Sequence, residues 1–239
     1  MKTKKRFWIV VGVLLSLAAA AEFFLQNHPT RRRANWVEAF TKDYEPSPVA
    51  QSIDQPSCTK VLERARELTR LPIEYDPAYY EIEFPNGDVP QTSGVCADIV
   101  IRSFREVGWD LQRSVNDDMK KNFGIYPALW SLSQPNTSID HRRVPNLMTY
   151  LKRKATALPL SSKARDYEPC DIVAWDVGGG TTHIGLVSDR IVENERRSII
   201  HHISGRPTEI DGLFAWRVIG HFRISAGNLA QLSADPARP

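Results

Sequence analysis

Between about residues 57 and 108, apolar residues recur every three or four positions, which is the spacing of one face of an α-helix. One helix is predicted after Ser57, a possible N-cap, from a stripe made by Val61, Leu62, Ala65 and Leu68. A second helix is predicted from Cys96 to about Val107, with Gly108 as a stop and a stripe made by Ala97, Val100, Ile101, Phe104 and Val107. Residues 109–145 have no clear period and are expected to be rich in loops, before a short helix over 146–153.

The last third of the chain changes to the two-residue period of β-strands. Strands are predicted over 171–175, 182–188, 198–203 and 215–224, with the turn Gly178-Gly179-Gly180 between the first two. Helices followed by a run of antiparallel strands indicate an α+β fold, with the Cys96 helix packed on the sheet.

Residues 1–27 differ from the rest of the chain. Four basic residues precede an apolar run from Phe7 to Ala21 that ends in four alanines, as in a secretory signal peptide. Phe23, Phe24 and Leu25 lengthen the run towards the length of an uncleaved membrane anchor. Either interpretation places the remainder outside the cytoplasm, in the periplasm or cell envelope, secreted or held at the membrane.

Composition divides the remainder into three parts. Residues 28–56 are proline-containing and polar, which predicts a linker with a short helix at most over Trp36–Phe40. Residues 57–224 form the predicted domain, and residues 225–239 form a small, polar and flexible tail.

Charge excludes one class of partner. The whole chain has a net charge of +3, but the leader holds four basic residues and one acidic residue, so the remainder is neutral. No basic stripe with interleaved aromatic residues is present, which argues against nucleic-acid binding. Arg31, Arg32 and Arg33 form a basic run beside the leader, suited to solvent or to acidic lipid headgroups.

The three cysteines are Cys58, Cys96 and Cys170. In an oxidising compartment two of them can pair, and pairing of Cys58 with Cys170 would leave Cys96 free. Three unpaired buried thiols are an equally acceptable interpretation of the sequence.

Cys96 is the candidate nucleophile, because a helix start favours thiolate over thiol and offers N–H groups to an oxyanion. His183, after the glycine turn, is a candidate base. His201 and His202 are candidates for a third residue that orients the base, and strand alternation allows only one of them to face a given side.

Five stretches carry a more specific resemblance. They are Tyr75-Asp76-Pro77, Pro85-Asn86-Gly87-Asp88, Gly94-Val95-Cys96-Ala97-Asp98, Ile139-Asp140-His141-Arg142-Arg143-Val144-Pro145-Asn146-Leu147 and His183-Ile184-Gly185. Together they resemble the DUF1287 family of secreted bacterial proteins. The wider order also resembles the NlpC/P60 branch of papain-like cysteine peptidases: Cys96 at a helix start, then Asp171-Ile172-Val173-Ala174-Trp175, His183-Ile184-Gly185-Leu186-Val187 and Ile199-Ile200-His201.

The resemblance implies a papain-like fold with Cys96 as nucleophile, His183 as base and His201 as the third residue. Two positions depart from the superfamily pattern: Val95 replaces a frequent polar residue, and Cys170 replaces a usual glycine. The first departure affects polar contacts to substrate, and the second is compatible with a disulfide.

Asp140, His141 and Arg142 are candidate substrate-binding residues that would hold a charged group, or else members of a loop joined by its own ion pairs. No cofactor is expected, and no spacing of histidine or cysteine residues favours a metal site.

The expected function is an extracytoplasmic amidase or endopeptidase acting on cell-wall peptides such as peptidoglycan, with a membrane contact if the leader is retained. Transfer to an acceptor other than water is equally compatible with these residues. The alternative from another class is an inactive papain-like envelope module that binds wall fragments or a protein partner.

Overall fold

The computed structural model describes residues 28–47 and 52–233. The predicted leader, residues 1–27, lies outside the described residues. The helices of the described part are α1 (Pro29–Lys42), α2 (Gln55–Arg70), α3 (Cys96–Arg105), α4 (Leu111–Asn122), α5 (Val144–Lys154) and α6 (Ala226–Ser233). The strands are β1 (Glu74–Tyr75), β2 (Ser93–Gly94), β3 (Thr156–Ala157), β4 (Ile172–Asp176), β5 (Thr182–Glu193), β6 (Arg196–His201), β7 (Thr208–Ile210) and β8 (Arg217–Arg223).

Six strands form one antiparallel sheet in the order β3-β8-β4-β5-β6-β7. The four long strands β4, β5, β6 and β8 are those that the two-residue period predicts. The short strands β1 and β2 pair in parallel beside the start of α3. The fold is therefore α+β with an antiparallel sheet, as expected from the sequence.

Apolar side chains form a separate cluster on each face of the sheet. The larger cluster joins α2, α3 and α5 to sheet residues that include Ile184, Leu186 and Ile200. The smaller cluster lies on the other face and is built on Tyr167, Val173, Trp175, Val187, Ile199 and Leu213. Residues 183–188 of β5 are thus buried on both faces of the sheet, which holds the part of the strand that carries His183 in a fixed position.

A disulfide joins Cys58 in α2 to Cys170, just before β4, and Cys96 is the free cysteine of the described residues. Cys170 has φ +70°, in the left-handed region that glycine adopts most readily. The bond therefore fixes both the helix and the unusual backbone that leads into the sheet. Of the two arrangements that the sequence allows, the structure has the paired one.

The predicted linker over 28–56 instead contains the 14-residue helix α1, whose Val37 is buried. Three contacts fasten this segment to β8 and to the glycine turn. The Tyr44 hydroxyl donates to the His221 carbonyl at 2.6 Å, Glu38 pairs with Arg217 at 2.8 Å, and Gly180 packs on the α1 backbone. The prediction failed because α1 buries few apolar residues, so its sequence has the composition of a linker.

Three smaller expectations also need correction. Asp54, not Ser57, caps α2, since its carboxylate accepts from the Ser57 N–H at 2.9 Å. The predicted loop over 109–145 contains α4, which is capped by Asp110 and buries Leu111, Val115 and Met119. The predicted flexible tail begins with α6, which buries Leu229.

Candidate functional site

Cys96 is the first residue of α3, and its neighbours fix that helix start. Val95 is extended, and its N–H donates to the Asp98 carboxylate at 2.6 Å. Asp98 therefore satisfies a backbone donor ahead of the helix and places negative charge in its first turn, where the helix dipole favours it. These contacts hold the backbone that carries the thiol in a defined position.

Arg142 links the same helix start to the loop after β1. Its guanidinium pairs with Asp98, at 2.9 Å from Nε to Oδ1, and both side chains are almost completely buried. It also donates to the carbonyl oxygens of Ala78 and Asp76. Arg142 therefore joins the Tyr75–Asp76–Pro77 segment to α3. Loss of either partner of the ion pair would leave an uncompensated buried charge, so this connection is expected to be important for stability.

A cleft of about 400 Å³ opens over Cys96. Its walls come from α1, the loop after β1, the segment before α5 and the glycine turn. The aromatic and charged residues that line the cleft are Arg33, Trp36, Tyr75, Tyr79, Trp130, Arg142 and Arg143. In the described part of the chain no carboxylate lines this cleft.

Burial raises the pKa of the Cys96 thiol to about 12 from its ordinary 9.0, and the nearby Asp98 carboxylate acts in the same direction. The N–H groups of Ile184, Ala97 and Cys96 itself favour thiolate but are outweighed. The expectation that the helix start would ionise this cysteine is therefore wrong for the resting protein, because loss of hydration exceeds the effect of the dipole. Cys96 carries its proton at neutral pH.

His183 and His201 form a hydrogen bond between Nε2 and Nδ1, respectively, at 2.8 Å. Gly185 pairs with His201 across the strands, and a Cβ at position 185 would lie 3.0 Å from the His201 Cβ. The glycine of His183-Ile184-Gly185 therefore leaves room for the diagonal contact. The structure brings together two of the three predicted catalytic residues.

Both rings of this pair are buried and uncharged. Burial lowers the pKa of His183 to about 3 and that of His201 to about 4, and the neighbouring histidines add to the effect. Nε2 of His201 is buried without a hydrogen-bond partner among the described residues. One proton is shared along the Nε2–Nδ1 bond, so its position decides which ring nitrogen of His183 remains basic.

The His183–His201 pair and the Cys96 thiol lie on different faces of the sheet. The rings of His183 and His201 both contact Trp216, on the side of the smaller cluster, whereas Cys96 belongs to the larger one. The two meet along β5, where the Ile184 N–H, next to His183, faces the thiol. Within residues 28–47 and 52–233, Cys96 makes no hydrogen bond with a histidine ring.

His202 faces the opposite way from His201, as strand alternation requires. Its Nε2 bonds to the Gly205 carbonyl at 3.0 Å, and its ring meets the Tyr75 ring edge-on at 5.1 Å. Tyr75 lines the cleft, and burial raises its pKa to about 12. Tyr75 is a site residue to which the sequence assigned no role, although it begins one of the resembling motifs.

The predicted substrate-binding residues do not act as one group. Asp140 and His141 do not line the cleft over Cys96. Asp140 pairs with Arg143 at 2.8 Å, and burial lowers the pKa of His141 to about 3. Arg142 lines the cleft, but its charge is neutralised by Asp98. The alternative of a segment held by ion pairs describes these residues better, because their side chains are buried in the structure that supports the cleft.

Residues 28–47 and 52–233 also lack two features that would have pointed to other kinds of site. No group of three or more histidine, cysteine, aspartate or glutamate side chains is arranged there to hold a metal ion. No helix in that part is both long and apolar enough to cross a membrane.

Known proteins are similar to most of this domain. The family model for a domain of unknown function, DUF1287, matches residues 62–224. The uncharacterized protein YijF of Escherichia coli (strain K12) is 45% identical over 163 residues, which are 68% of this chain and 80% of YijF. No solved structure matches the chain. The family match and this relative show that the chain belongs to the DUF1287 family.

Proposed function

We propose that this protein is a cysteine hydrolase of the cell envelope, with Cys96 as nucleophile, His183 as base and His201 as the residue that orients the base. The observation that carries the proposal is the 2.8 Å bond between His183 and His201, on the strand whose next N–H faces the Cys96 thiol. Acyl transfer uses a nucleophile, a base and an orienting group. Here the base and the orienting group are bonded to each other, and the nucleophile lies beside the next residue of the strand that carries the base.

The chemical steps follow from the protonation states. In the productive tautomer the His183 Nε2–H donates to His201 Nδ1, so Nδ1 of His183 is free to accept the Cys96 proton. The sulfur then bonds to the substrate carbonyl carbon, and first-turn N–H groups of α3 stabilise the oxyanion. The C–N bond breaks as His183 returns the proton to the leaving amine. Water then cleaves the thioester, which releases the acyl group as a carboxylic acid and restores the thiol.

Resting geometry gives this mechanism a specific requirement. Cys96 and His183 are not hydrogen-bonded, and both are neutral. Proton transfer must therefore accompany attack, and because the ring and the thiol lie on different faces of the sheet, the proposal requires the first residues of β5 to turn in the substrate complex until His183 reaches the thiol.

Compartment and substrate are parts of the same proposal. The Cys58–Cys170 disulfide supports an oxidising compartment, and the basic and apolar leader supports export. The order of motifs resembles that of NlpC/P60 peptidases, and with an envelope location this favours cell-wall peptides as substrate.

The test uses the full chain and purified peptidoglycan fragments, with released amines and fragment masses as readouts. Wild type is expected to cleave, Cys96→Ala to be inactive, and His183→Ala to lose roughly 10²–10⁴-fold. His202→Ala is the matched control, because that ring lies one residue from His201 but faces away from it. Retained activity in His183→Ala, or equal losses in His183→Ala and His202→Ala, would reject the assigned base.

A second candidate function has its own supporting observation. A buried protonated thiol without a histidine bond is also what a binding module would have, and the cleft would then hold a wall fragment or partner without cleaving it. Mass spectrometry separates the two functions, because a module would bind fragments and return them unchanged, equally well with Cys96→Ala.

A further inference from the structure

A second pocket of about 120 Å³ adjoins the cleft over Cys96. The two share Trp130 and Arg143, whose guanidinium carbon lies 4.3 Å from the Trp130 ring centre. The remaining walls of the second pocket are mostly apolar and include Met119, Phe123, Tyr126 and Leu132. One ligand that lies in the cleft can therefore place a side group across the Trp130–Arg143 pair into this pocket.

The carboxylate and the hydroxyl group of the pocket are paired within the protein, whereas one buried amide oxygen is not. Asp140 is neutralised by Arg143, and the Tyr126 hydroxyl donates to Asp118 at 2.8 Å. Asn146 is 1% exposed, and its Nδ2 donates to the Asp140 carbonyl, but Oδ1 has no hydrogen-bond partner among the described residues. A buried acceptor without a donor is costly, so a ligand N–H at this position would be favourable.

We propose that this pocket is a specificity subsite that takes a neutral aliphatic side chain of a peptide, with a backbone or amide N–H directed at Asn146 Oδ1. The apolar walls favour an aliphatic group, and the internal Asp140–Arg143 pair leaves no net charge to attract an ionised one. The proposal deepens the proposed function, since it rests on a peptide occupying the cleft, but binding here does not require cleavage.

NMR signals of the methionine methyl groups allow a direct test on the full chain carrying Cys96→Ala. Met119 lines the pocket, whereas Met148 is completely buried in the core, so one NMR spectrum of protein with labelled methionine methyl groups reports on both. N-acetyl-L-leucinamide is expected to cause a saturable shift of the Met119 signal and none at Met148. N-acetylglycinamide, which lacks the aliphatic group, and the α-amide of N-acetyl-L-aspartic acid, whose side-chain carboxylate is charged, are expected to cause no saturable shift.

Gly124 offers a blocking variant with a matched control. It lines the pocket, and a Cβ there would meet nothing within 4 Å. Gly124→Phe is expected to abolish the leucinamide shift, and Gly124→Ala to retain it, with an unchanged Met148 signal as the check of folding.

Three results would overturn the subsite: no Met119 shift in the Cys96→Ala chain, an equal shift with the glycine probe, or a shift that persists in correctly folded Gly124→Phe. The first two do not depend on the blocking variant. Because the assay measures binding by a chain without the nucleophile, its failure is distinct from failure of the proposed hydrolysis.

Discussion

Two opposing effects meet at the Cys96 thiol. First-turn N–H groups favour thiolate, while burial and Asp98 favour the thiol, and burial prevails. We predict that Cys96 does not titrate through its ordinary range around pH 9. The measurement is the NMR chemical shift of a carbon-13-labelled cysteine β-carbon, followed as a function of pH. It can be assigned because Cys96 is the free thiol of the described residues.

Cys96→Ser removes the signal and confirms its assignment. A midpoint below the ordinary value of 9.0 would contradict the account, because it would mean that the helix start dominates after all. Asp98→Asn is informative in the same experiment. It removes a charge that raises the thiol pKa and is expected to lower the midpoint, although it also breaks the ion pair with Arg142.

At the scale of one element, α1 forms part of the cleft although it lies before the region that the family model matches. It packs so closely on the glycine turn that a Cβ at Gly180 would lie 2.3 Å from the Ala34 nitrogen. Gly180 also has φ +75°, so any side chain there is strained as well as obstructed. Helix α1 is thus held against the turn that leads to His183.

We predict that Gly180→Ala displaces and loosens α1, so that trypsin reaches the backbone at Arg31 and Arg33, whose side chains are already exposed, more readily. Gly178→Ala is the matched control, because φ at Gly178 is +117° but a Cβ there meets nothing within 4 Å. Both variants are expected to lose about 1–3 kcal/mol through strain, and only Gly180→Ala should also be cut faster within α1. Equal cutting of the two variants would show that the close packing does not hold the helix.

Sequence periodicity identified the elements with the strongest patterns. The Cys96 helix and the four long strands were predictable because both are built from apolar residues at regular spacing. Helix α4 was missed although Leu111, Val115 and Met119 recur every four residues, because the polar residues between them resemble a loop. Helix α1 was missed because its stability comes from contacts with residues far along the chain.

The sequence singled out the candidate catalytic residues but did not indicate the faces of the sheet on which they lie. Strand alternation correctly required His201 and His202 to point in opposite directions but left open which of them joins His183, and only the family resemblance favoured His201, the ring that bonds to His183. The ionisation of Cys96 was predicted wrongly for a related reason. Burial of the helix start depends on how distant segments pack over it, which the local sequence does not encode.

At the scale of the whole molecule, buried neutral histidines make stability depend on pH. The pKa values of His141, His183 and His201 are lowered to about 3, 3 and 4 from 6.5. As pH falls below 6.5 the unfolded chain therefore binds protons that the folded chain excludes. We predict that the contribution of these three histidines to the free energy of unfolding is constant above pH 6.5. Below that pH the free energy of unfolding is expected to decrease steadily towards pH 4.

Urea denaturation at about pH 7.5 and about pH 4.5 checks this prediction. Replacing His141 by Gln is expected to reduce the loss of stability between the two pH values, since glutamine does not titrate. A wild-type protein that is as stable at the lower pH as at the higher would contradict the account.

The disulfide also acts on the whole molecule, since it joins residues separated by 112 positions. We predict one free thiol in the denatured, non-reduced protein and three after reduction. Replacing Cys58 and Cys170 together by alanine is expected to cost about 2–5 kcal/mol of stability. Three thiols without reduction would exclude the bond, and with it one support for an oxidising compartment.

The central claim is that Cys96 and His183 act together on a peptide bond. The most direct measurement is capture of the covalent intermediate: the full chain is mixed with peptidoglycan fragments, quenched in acid and analysed by intact mass. We predict an acyl adduct on Cys96 in wild type and none in Cys96→Ala. In His183→Ala we expect greatly slowed formation of the adduct, and in His202→Ala formation as in wild type. An unmodified Cys96 with unchanged fragments in every sample, or an adduct that forms equally fast without His183, would contradict the account.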